Sequence, residues 1–303
     1  MHIPLTLGDV HAQIDTVAAA LRELTVAGAA LTEPRVDDGL PPFCNGIVLA
    51  PWPNRVRDAR WSHDGQVQQL DITEPARGGA LHGLLQFTDY EVLSRSDAMV
   101  TLGAFIAPQH GWPFALETDV TYALEPDGIR VTHAVRNVGA ERAPYAVGTH
   151  PFLRVGVTPV EQLTLTAPAA SYFEVDERLN PVAEAPVTAD VDLRPGRVVG
   201  ELRLDTAYGS LAHANPADGH GDSAWLDAPD GARTTLWQDL AWGYLQVFTT
   251  REFPGPDGPA TAVAVEPMTA PPDALNSGQG LIWLDPDAAW QGSWGLRYRG
   301  AVS

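Results

Sequence analysis

Two residues suited to proton transfer each stand directly before a proline. His150 lies in Gly148-Thr149-His150-Pro151-Phe152, and Glu266 ends the run Thr261-Ala262-Val263-Ala264-Val265-Glu266 before Pro267. A residue ahead of proline is pushed out of the α region into extended backbone. Both side chains are therefore expected to leave strand ends along fixed directions, as an acid and a base acting on one small substrate must. Alternation puts Glu266 on the side of Ala262 and Ala264, opposite Val263 and Val265, where small neighbours leave room for a ligand. Partial burial there raises a carboxyl pKa towards the working range of a general base. An ion pair with an arginine is the alternative reading of this glutamate.

Other polar residues sit in rigid turns. The apolar run from Asn45 ends in Pro51-Trp52-Pro53-Asn54-Arg55, a proline-bracketed turn holding an amide and a guanidinium. By itself an Asn-Arg pair reads as a surface loop. Leu81-His82-Gly83-Leu84 places a histidine in a glycine-flanked apolar turn, which alone reads as packing or turn chemistry. Asp205, in Leu202-Arg203-Leu204-Asp205, reads in isolation as a helix cap or an Asx-turn residue.

The histidines form neither His-x-His nor His-Glu-x-x-His, and a single cysteine, Cys44, provides no thiolate cluster, so no metal site is assigned. His133 falls on the apolar face of its segment beside Val131 and Val135 and is expected to be a hydrogen-bonded core residue. Gly219-His220-Gly221-Asp222-Ser223-Ala224 formally matches the dinucleotide fingerprint. It lacks the preceding apolar strand and the following helix that give those glycines their role, and is read as a loop.

The elements that must position these groups are strands. From Asp119 to Asn137, apolar residues alternate on both sides of Glu125-Pro126-Asp127-Gly128, which predicts a β-hairpin. Similar strand units are expected at Ala224 to Leu236, Trp242 to Thr249, Thr261 to Glu266 and Trp290 to Tyr298. Short strand signals punctuated by 26 prolines and 28 glycines argue for an all-β chain, an antiparallel sandwich or barrel. The alanine-rich stretch Thr16 to Leu24 is the one candidate helix, with a strand pair as the alternative. Residues 1–303 read as a single domain.

Composition removes whole classes of chemistry. All 19 basic residues are arginine, so a Schiff-base lysine, a pyridoxal phosphate anchor and a standard P-loop are excluded. One cysteine excludes an internal disulfide and a paired-thiol racemase, and fits a reducing compartment. A formal charge of −19 opposes phosphate backbones and anionic membranes, so neither nucleic acid nor membrane is expected as a partner. The N-terminus lacks a basic start and a long apolar core, and no later stretch reaches eighteen apolar residues; the expectation is a cytoplasmic protein.

Taken together, the segments resemble the aldose 1-epimerase (galactose mutarotase) family. Asn54-Arg55 resembles its Asn-Arg element and Leu81-His82-Gly83 its Leu-His-Gly element. Thr149-His150-Pro151-Phe152 is similar to the segment bearing the family's acid histidine, and Leu204-Asp205 with Tyr208 to its sugar-binding aspartate segment. Leu245-Gln246-Val247-Phe248-Thr249 resembles the strand of a sugar-contacting glutamine, and Glu266-Pro267 through Ala274 the base segment. The order matches from residue 45 to about 276.

The resemblance implies a large antiparallel β-sandwich of the galactose mutarotase-like type with a monosaccharide cleft and no cofactor. Interconverting the anomers of a free aldose such as glucose or galactose removes the proton of the C1 hydroxyl and protonates the ring oxygen. The resemblance assigns Glu266 as base, His150 as acid and His82 as their partner at the ring oxygen, with Asn54, Arg55, Asp205 and Gln246 holding hydroxyls. Two departures stand out: Pro151 and Phe152 replace Tyr and Asn after the acid histidine, and Leu284-Asp285-Pro286-Asp287 replaces a Pro-Gly turn.

Two alternatives follow from the same residues. One is a mutarotase for an anionic sugar, a hexose 6-phosphate or sulfo-sugar, which Arg57 or Arg60 facing the cleft beside Arg55 would favour. Pro271-Pro272-Asp273-Ala274 resembles the free-sugar branch instead. The other is a carbohydrate-binding protein without turnover, which would have no need of both His150 and Glu266. The oligomeric state is not legible.

Overall fold

The computed structural model describes residues 1–35, 39–217 and 219–301. Two large antiparallel sheets form a sandwich. The ten-stranded sheet runs Glu91–Arg95, Met99–Ile106, Leu116–Glu125, Gly128–Asn137, Ala289–Arg299, Arg233–Asp239, His220–Asp227, Thr164–Thr166 and Arg197–Val198, with Ala214–Ala217 paired to the side. The eight-stranded sheet runs Pro181–Pro186, Ala169–Val175, Asp205–Leu211, Tyr244–Gly255, Gly258–Met268, Gly148–Thr149 and Val48–Leu49, with Phe152–Leu153 beside Gly258–Met268.

The period of two decides which residues fill the space between the sheets. Tyr122, Val131, Trp294 and Leu296 from one sheet pack in a single cluster with Tyr208, Val247, Val263 and Val265 from the other. The opposite face of the Gly258–Met268 strand carries Ala262 and Ala264, which join Phe152 and Phe253 in a separate aromatic cluster. Glu266 shares that second face, as the alternation of alanine and valine predicts.

The predicted hairpin is present: Leu116–Glu125 pairs with Gly128–Asn137, Val120 opposite His133 and Leu124 opposite Ile129. His133 is a core residue as expected. It accepts a hydrogen bond from the Trp294 indole at 3.2 Å and lies 3.4 Å from the Thr149 hydroxyl, and burial pushes its pKa down to about 3.

Two local readings change. The Thr16 to Leu24 stretch is no helix: Val10–Asp15 and Leu21–Val26 are strands of a four-stranded N-terminal sheet. Between them Ala18 and Ala19 adopt φ 56° and 46° and are fully buried. Ala18 packs with Ile47 and Leu49 and Ala19 in the main core, and this tertiary packing overrides alanine's helix propensity. The segment read as a loop at Gly219 to Ala224 is largely strand, His220–Asp227, paired with Arg233–Asp239. Its small residues serve close approach: a Cβ on Gly221 would lie 3.0 Å from that of His213. No helix follows, so the dinucleotide reading fails on structure as well as on sequence.

Among the described residues no helix is long and apolar enough to cross a membrane. The single α-helix there is the short Ala274–Ser277.

Candidate active site

Glu266 and Gln246 lie opposite each other on the paired strands Gly258–Met268 and Tyr244–Gly255. Asp205 opens the next strand, opposite Phe248, so it is neither a helix cap nor a loop residue. On the other side of Glu266 comes the chain around His150, because Phe152 pairs with Ala264 and Gly148 with Met268. Sheet order alone therefore arranges the polar groups laterally as Asp205, Gln246, Glu266, His150.

The backbone of His150 is fixed on both sides. Its N–H donates to the Ile47 carbonyl at 3.1 Å, and its carbonyl accepts from Gly46 N–H at 2.8 Å. Gly46 has φ +78°, and a Cβ there would lie 2.1 Å from the Leu21 carbonyl oxygen, so only glycine fits. Asn45 braces the same loop, donating to the Glu33 carbonyl at 2.9 Å and accepting from Phe152 N–H at 3.3 Å. Thr149 is held from the opposite sheet by His133, so the core histidine helps to place the residue before His150.

His150 Nε2 stands 3.3 Å from Glu266 Oε1, with both side chains buried. The second atom of each group, Nδ1 of His150 and Oε2 of Glu266, is buried without a partner. His82 meets His150 edge-on, ring centroids 5.5 Å apart, and its own Nδ1 is also unpartnered. His82 sits at φ 60° with its N–H bonded to the Asn54 carbonyl, so the Asn-Arg and Leu-His-Gly turns are tied together. Their strands pair directly, Arg55 opposite Leu81.

Burial dominates the electrostatics. It pushes the His150 pKa down to about 4 and holds that of His82 well below the usual imidazole value, with His150 and Arg55 adding to the effect. Glu266 moves the opposite way: burial first, then the Asp205 carboxylate, hold it well above the usual carboxylate range against the pull of Arg55. Burial thus favours a protonated Glu266 beside neutral imidazoles.

Arg55 is fixed by a residue that sequence reading did not single out. Its Nε and a terminal nitrogen donate to the two Glu74 oxygens at 2.7 and 3.0 Å, a bidentate charge-assisted pair. Its other charged neighbour is Asp205, 4.0 Å away, and Asp205 accepts from Gln246 Nε2 at 2.6 Å. Glu74 shares a sequence signal with the catalytic candidates, for it too precedes a proline, Pro75. Asn54 turns inward at φ 55°, its side-chain oxygen accepting from Arg55 N–H at 2.8 Å.

All seven residues singled out from sequence, Asn54, Arg55, His82, His150, Asp205, Gln246 and Glu266, line one cleft together with Phe43, Cys44, Leu81 and Phe248. Its volume of ≈ 170 Å³ is below the roughly 300–1,000 Å³ of pockets for drug-sized ligands, a scale suited to one small ring. Arg57 and Arg60 do not line it. Arg57 instead donates to the Pro181 carbonyl at 2.6 Å, and its main-chain N–H to Asp273 at 2.9 Å. Among the described residues no group of three or more His, Cys, Asp or Glu is placed to hold a metal ion.

Comparison with known proteins gives a consistent result. The family model described as aldose 1-epimerase matches residues 1–297. The chain is 33% identical over 285 residues to the uncharacterized protein YihR of Escherichia coli (strain K12), covering 93% of this chain and 88% of that one. Among solved structures it is similar to the GalM/aldose epimerase homologue from C. elegans, with TM-score 0.85 and 17% identity over 100% and 99% of the two chains. It is also similar to galactose 1-epimerase from Lactobacillus acidophilus NCFM, with TM-score 0.81 and 17% identity over 99% and 95%. The sandwich is of the galactose mutarotase-like type.

Proposed function

Because the chain belongs to the aldose 1-epimerase family, we propose that it interconverts the α and β anomers of a neutral free aldose, with Glu266 as base and His150 as acid. The observation that carries this reading is their 3.3 Å contact at the cleft. The two oxygens that exchange protons in ring opening, O1 and the ring oxygen, are bonded to the same carbon. An acid and a base must then be near neighbours, and these two are.

The pair holds one proton in two arrangements, protonated glutamate with neutral imidazole, or carboxylate with imidazolium. Burial favours the first; a bound polyol that donates to Glu266, with Arg55 close by, supports the second. The Glu266 carboxylate then removes the O1 proton while His150 protonates the ring oxygen. The C1–O bond of the ring breaks and the aldehyde forms. Rotation about C1–C2 exposes the other face, and closure returns both protons, restoring the pair. His82 borders the ring oxygen as a neutral donor or acceptor. Asn54, Arg55, Asp205 and Gln246 hold hydroxyls, fixing the ring against the pair.

Neutrality of the substrate rests on charge. Arg55 is the cation lining the cleft, and it already faces the Glu74 and Asp205 carboxylates. Polarimetry or NMR of freshly dissolved α-glucose and α-galactose tests the reading. Wild-type protein accelerates equilibration, and Glu266→Gln or His150→Asn returns it nearly to background. Undiminished activity in Glu266→Gln sinks the assignment of the base.

A further inference from the structure

We propose a second binding site, for a neutral saccharide, in a cavity behind the turn that carries His82. The stretch Ala80 to Leu84 separates the two spaces. Leu81 and His82 line the candidate active-site cleft, whereas Ala80, Gly83 and Leu84 line this cavity from the other side. Its volume of ≈ 300 Å³ exceeds that of the cleft and reaches the lower end of the roughly 300–1,000 Å³ typical of small-molecule sites. The site stands apart from the acid–base pair and is independent of the epimerase reading.

The cavity is preformed. Trp52, 1% exposed, and Leu70 form its floor, and the Trp52 indole donates to the Ala80 carbonyl at 3.4 Å. One rim is the turn from Gln109 to Trp112, closed by two backbone hydrogen bonds at 2.8 and 2.9 Å. Gly111 in that turn lies so close to Gln69 that a Cβ would stand 2.4 Å from the Gln69 carbonyl carbon. The Gly111 carbonyl also accepts from the Trp61 indole at 2.8 Å. The turn that presents Gln109 and His110 is thereby fixed in place.

The groups facing the cavity suit a polyol. Gln86 is 8% exposed and lines it, yet its side-chain amide bonds to no described residue. A buried amide without a protein partner is costly unless water or a ligand satisfies it. Gln109 spends one amide donor on the Ala107 carbonyl at 3.3 Å and keeps its side-chain oxygen. Asp71 is exposed at the rim and forms no ion pair with a described residue. Phe87, 59% exposed, adds an apolar ring surface for the C–H groups of a sugar. No arginine is among the described residues that line the cavity, so a phosphate or carboxylate would meet Asp71 without an arginine to balance it. Amides, a carboxylate and an aromatic ring converging on one space are the donors, acceptors and apolar surface that orient a neutral polyol.

The test uses the methyl glycosides of D-glucose, D-galactose, D-mannose and D-xylose, which lack a free anomeric hydroxyl and so are not turned over. Binding is read from the Trp52 indole N–H signal in isotope-labelled protein, assigned with Trp52→Phe. At least one glycoside is expected to shift that signal to saturation, and to do so equally in the cleft variant Gln246→Leu. Phe87→Ala and Gln86→Leu, both outside the cleft, are expected to weaken binding about fivefold or more. Methyl glucuronide is expected to bind more weakly than the methyl glucoside. Absence of a shift with all four glycosides overturns the proposal. So does a shift that Gln246→Leu abolishes and both Phe87→Ala and Gln86→Leu retain, which puts the sugar in the cleft. Glucuronide binding as tight as that of the glucoside overturns the neutral class. Phe87 is exposed, so its variant keeps the test decisive even if Gln86→Leu does not fold. The epimerase reading depends on anomer exchange by wild-type protein, so its failure and the failure of this site are distinguishable.

Discussion

His150 Nε2 and Glu266 Oε1 are 3.3 Å apart with both side chains buried, so a proton can pass directly between the candidate acid and base. Their effects on rate are then not separable. Each single replacement, Glu266→Gln or His150→Asn, is expected to lower kcat by about 10²- to 10⁴-fold. The double variant is expected to be no slower than the slower single one, because either change already removes the shared proton's route. Multiplicative losses in the double variant, measured by the same anomer exchange, would show two independent groups.

The pair also sets a pH dependence of stability. Unfolded, a glutamate titrates near about 4.3, whereas burial and Asp205 hold folded Glu266 well above its usual value. A raised acid contributes stability that is full below the unfolded value and lost as pH rises through the folded one. His150 runs the other way: pushed down to about 4, its contribution is full above roughly 6.5 and lost as pH falls. Glu266→Gln removes the alkaline loss alone. The variant is expected to melt above wild type at pH 8, with the gap narrowing towards pH 4, at roughly 2–4 °C for each kcal/mol recovered. A lower melting temperature at pH 8 contradicts a protonated Glu266.

The same contrast explains what the sequence discloses. Period-two alternation read the Leu116–Asn137 hairpin, the core position of His133 and the face of Glu266 correctly, because each depends only on neighbours in the chain. The Thr16 to Leu24 stretch stayed open between a helix and a strand pair because Ala18 and Ala20 pack on Ile47 and Leu49, which are distant in sequence; the strand alternative is the one found, in Leu21–Val26. Ala224 and Leu226 are buried in a strand for the same reason: their partners in Arg233–Asp239, Leu236 and Thr234, are supplied by the sheet. In the site, ordered motifs named the residues that face the cleft. They missed Glu74, which faces Arg55, and Phe43, which lines the cleft, since neither carries a hydrogen-bonding role towards a sugar. Pro75 after Glu74 was the one local cue.

Glu74 is expected to act through Arg55. Replacing it with glutamine keeps the shape and removes the charge from a bidentate pair at 2.7 and 3.0 Å. Hydrogen bonds to charged groups contribute about 1.5–3 kcal/mol, so a loss of roughly tenfold in kcat/KM is expected, expressed mainly in KM because the proposed role of Arg55 is to hold hydroxyls and not to transfer the proton. Glu74→Asp, which restores charge but shortens the reach, should recover part of it. An equal fall in kcat with KM unchanged would place Arg55 at the reacting atoms instead.

The turn that carries His82 tests how far position, apart from chemistry, determines activity. Gly83 has φ +79°, and a Cβ there would lie 2.0 Å from the Ala50 carbonyl oxygen and 2.3 Å from its carbon. That contact is backbone against backbone, so no rotamer change relieves it. Leu84 N–H bonds the same carbonyl at 2.8 Å, so moving the Ala50 backbone away breaks a hydrogen bond as well. Gly83→Ala is therefore expected to cost on the order of 2–4 kcal/mol, seen as a lower denaturation midpoint with the slope unchanged. Because His82 precedes it at φ 60° and contacts the His150 ring, activity should fall further than the folded fraction does. Activity that tracks the folded fraction alone would mean that the position of His82 is unimportant to the reaction.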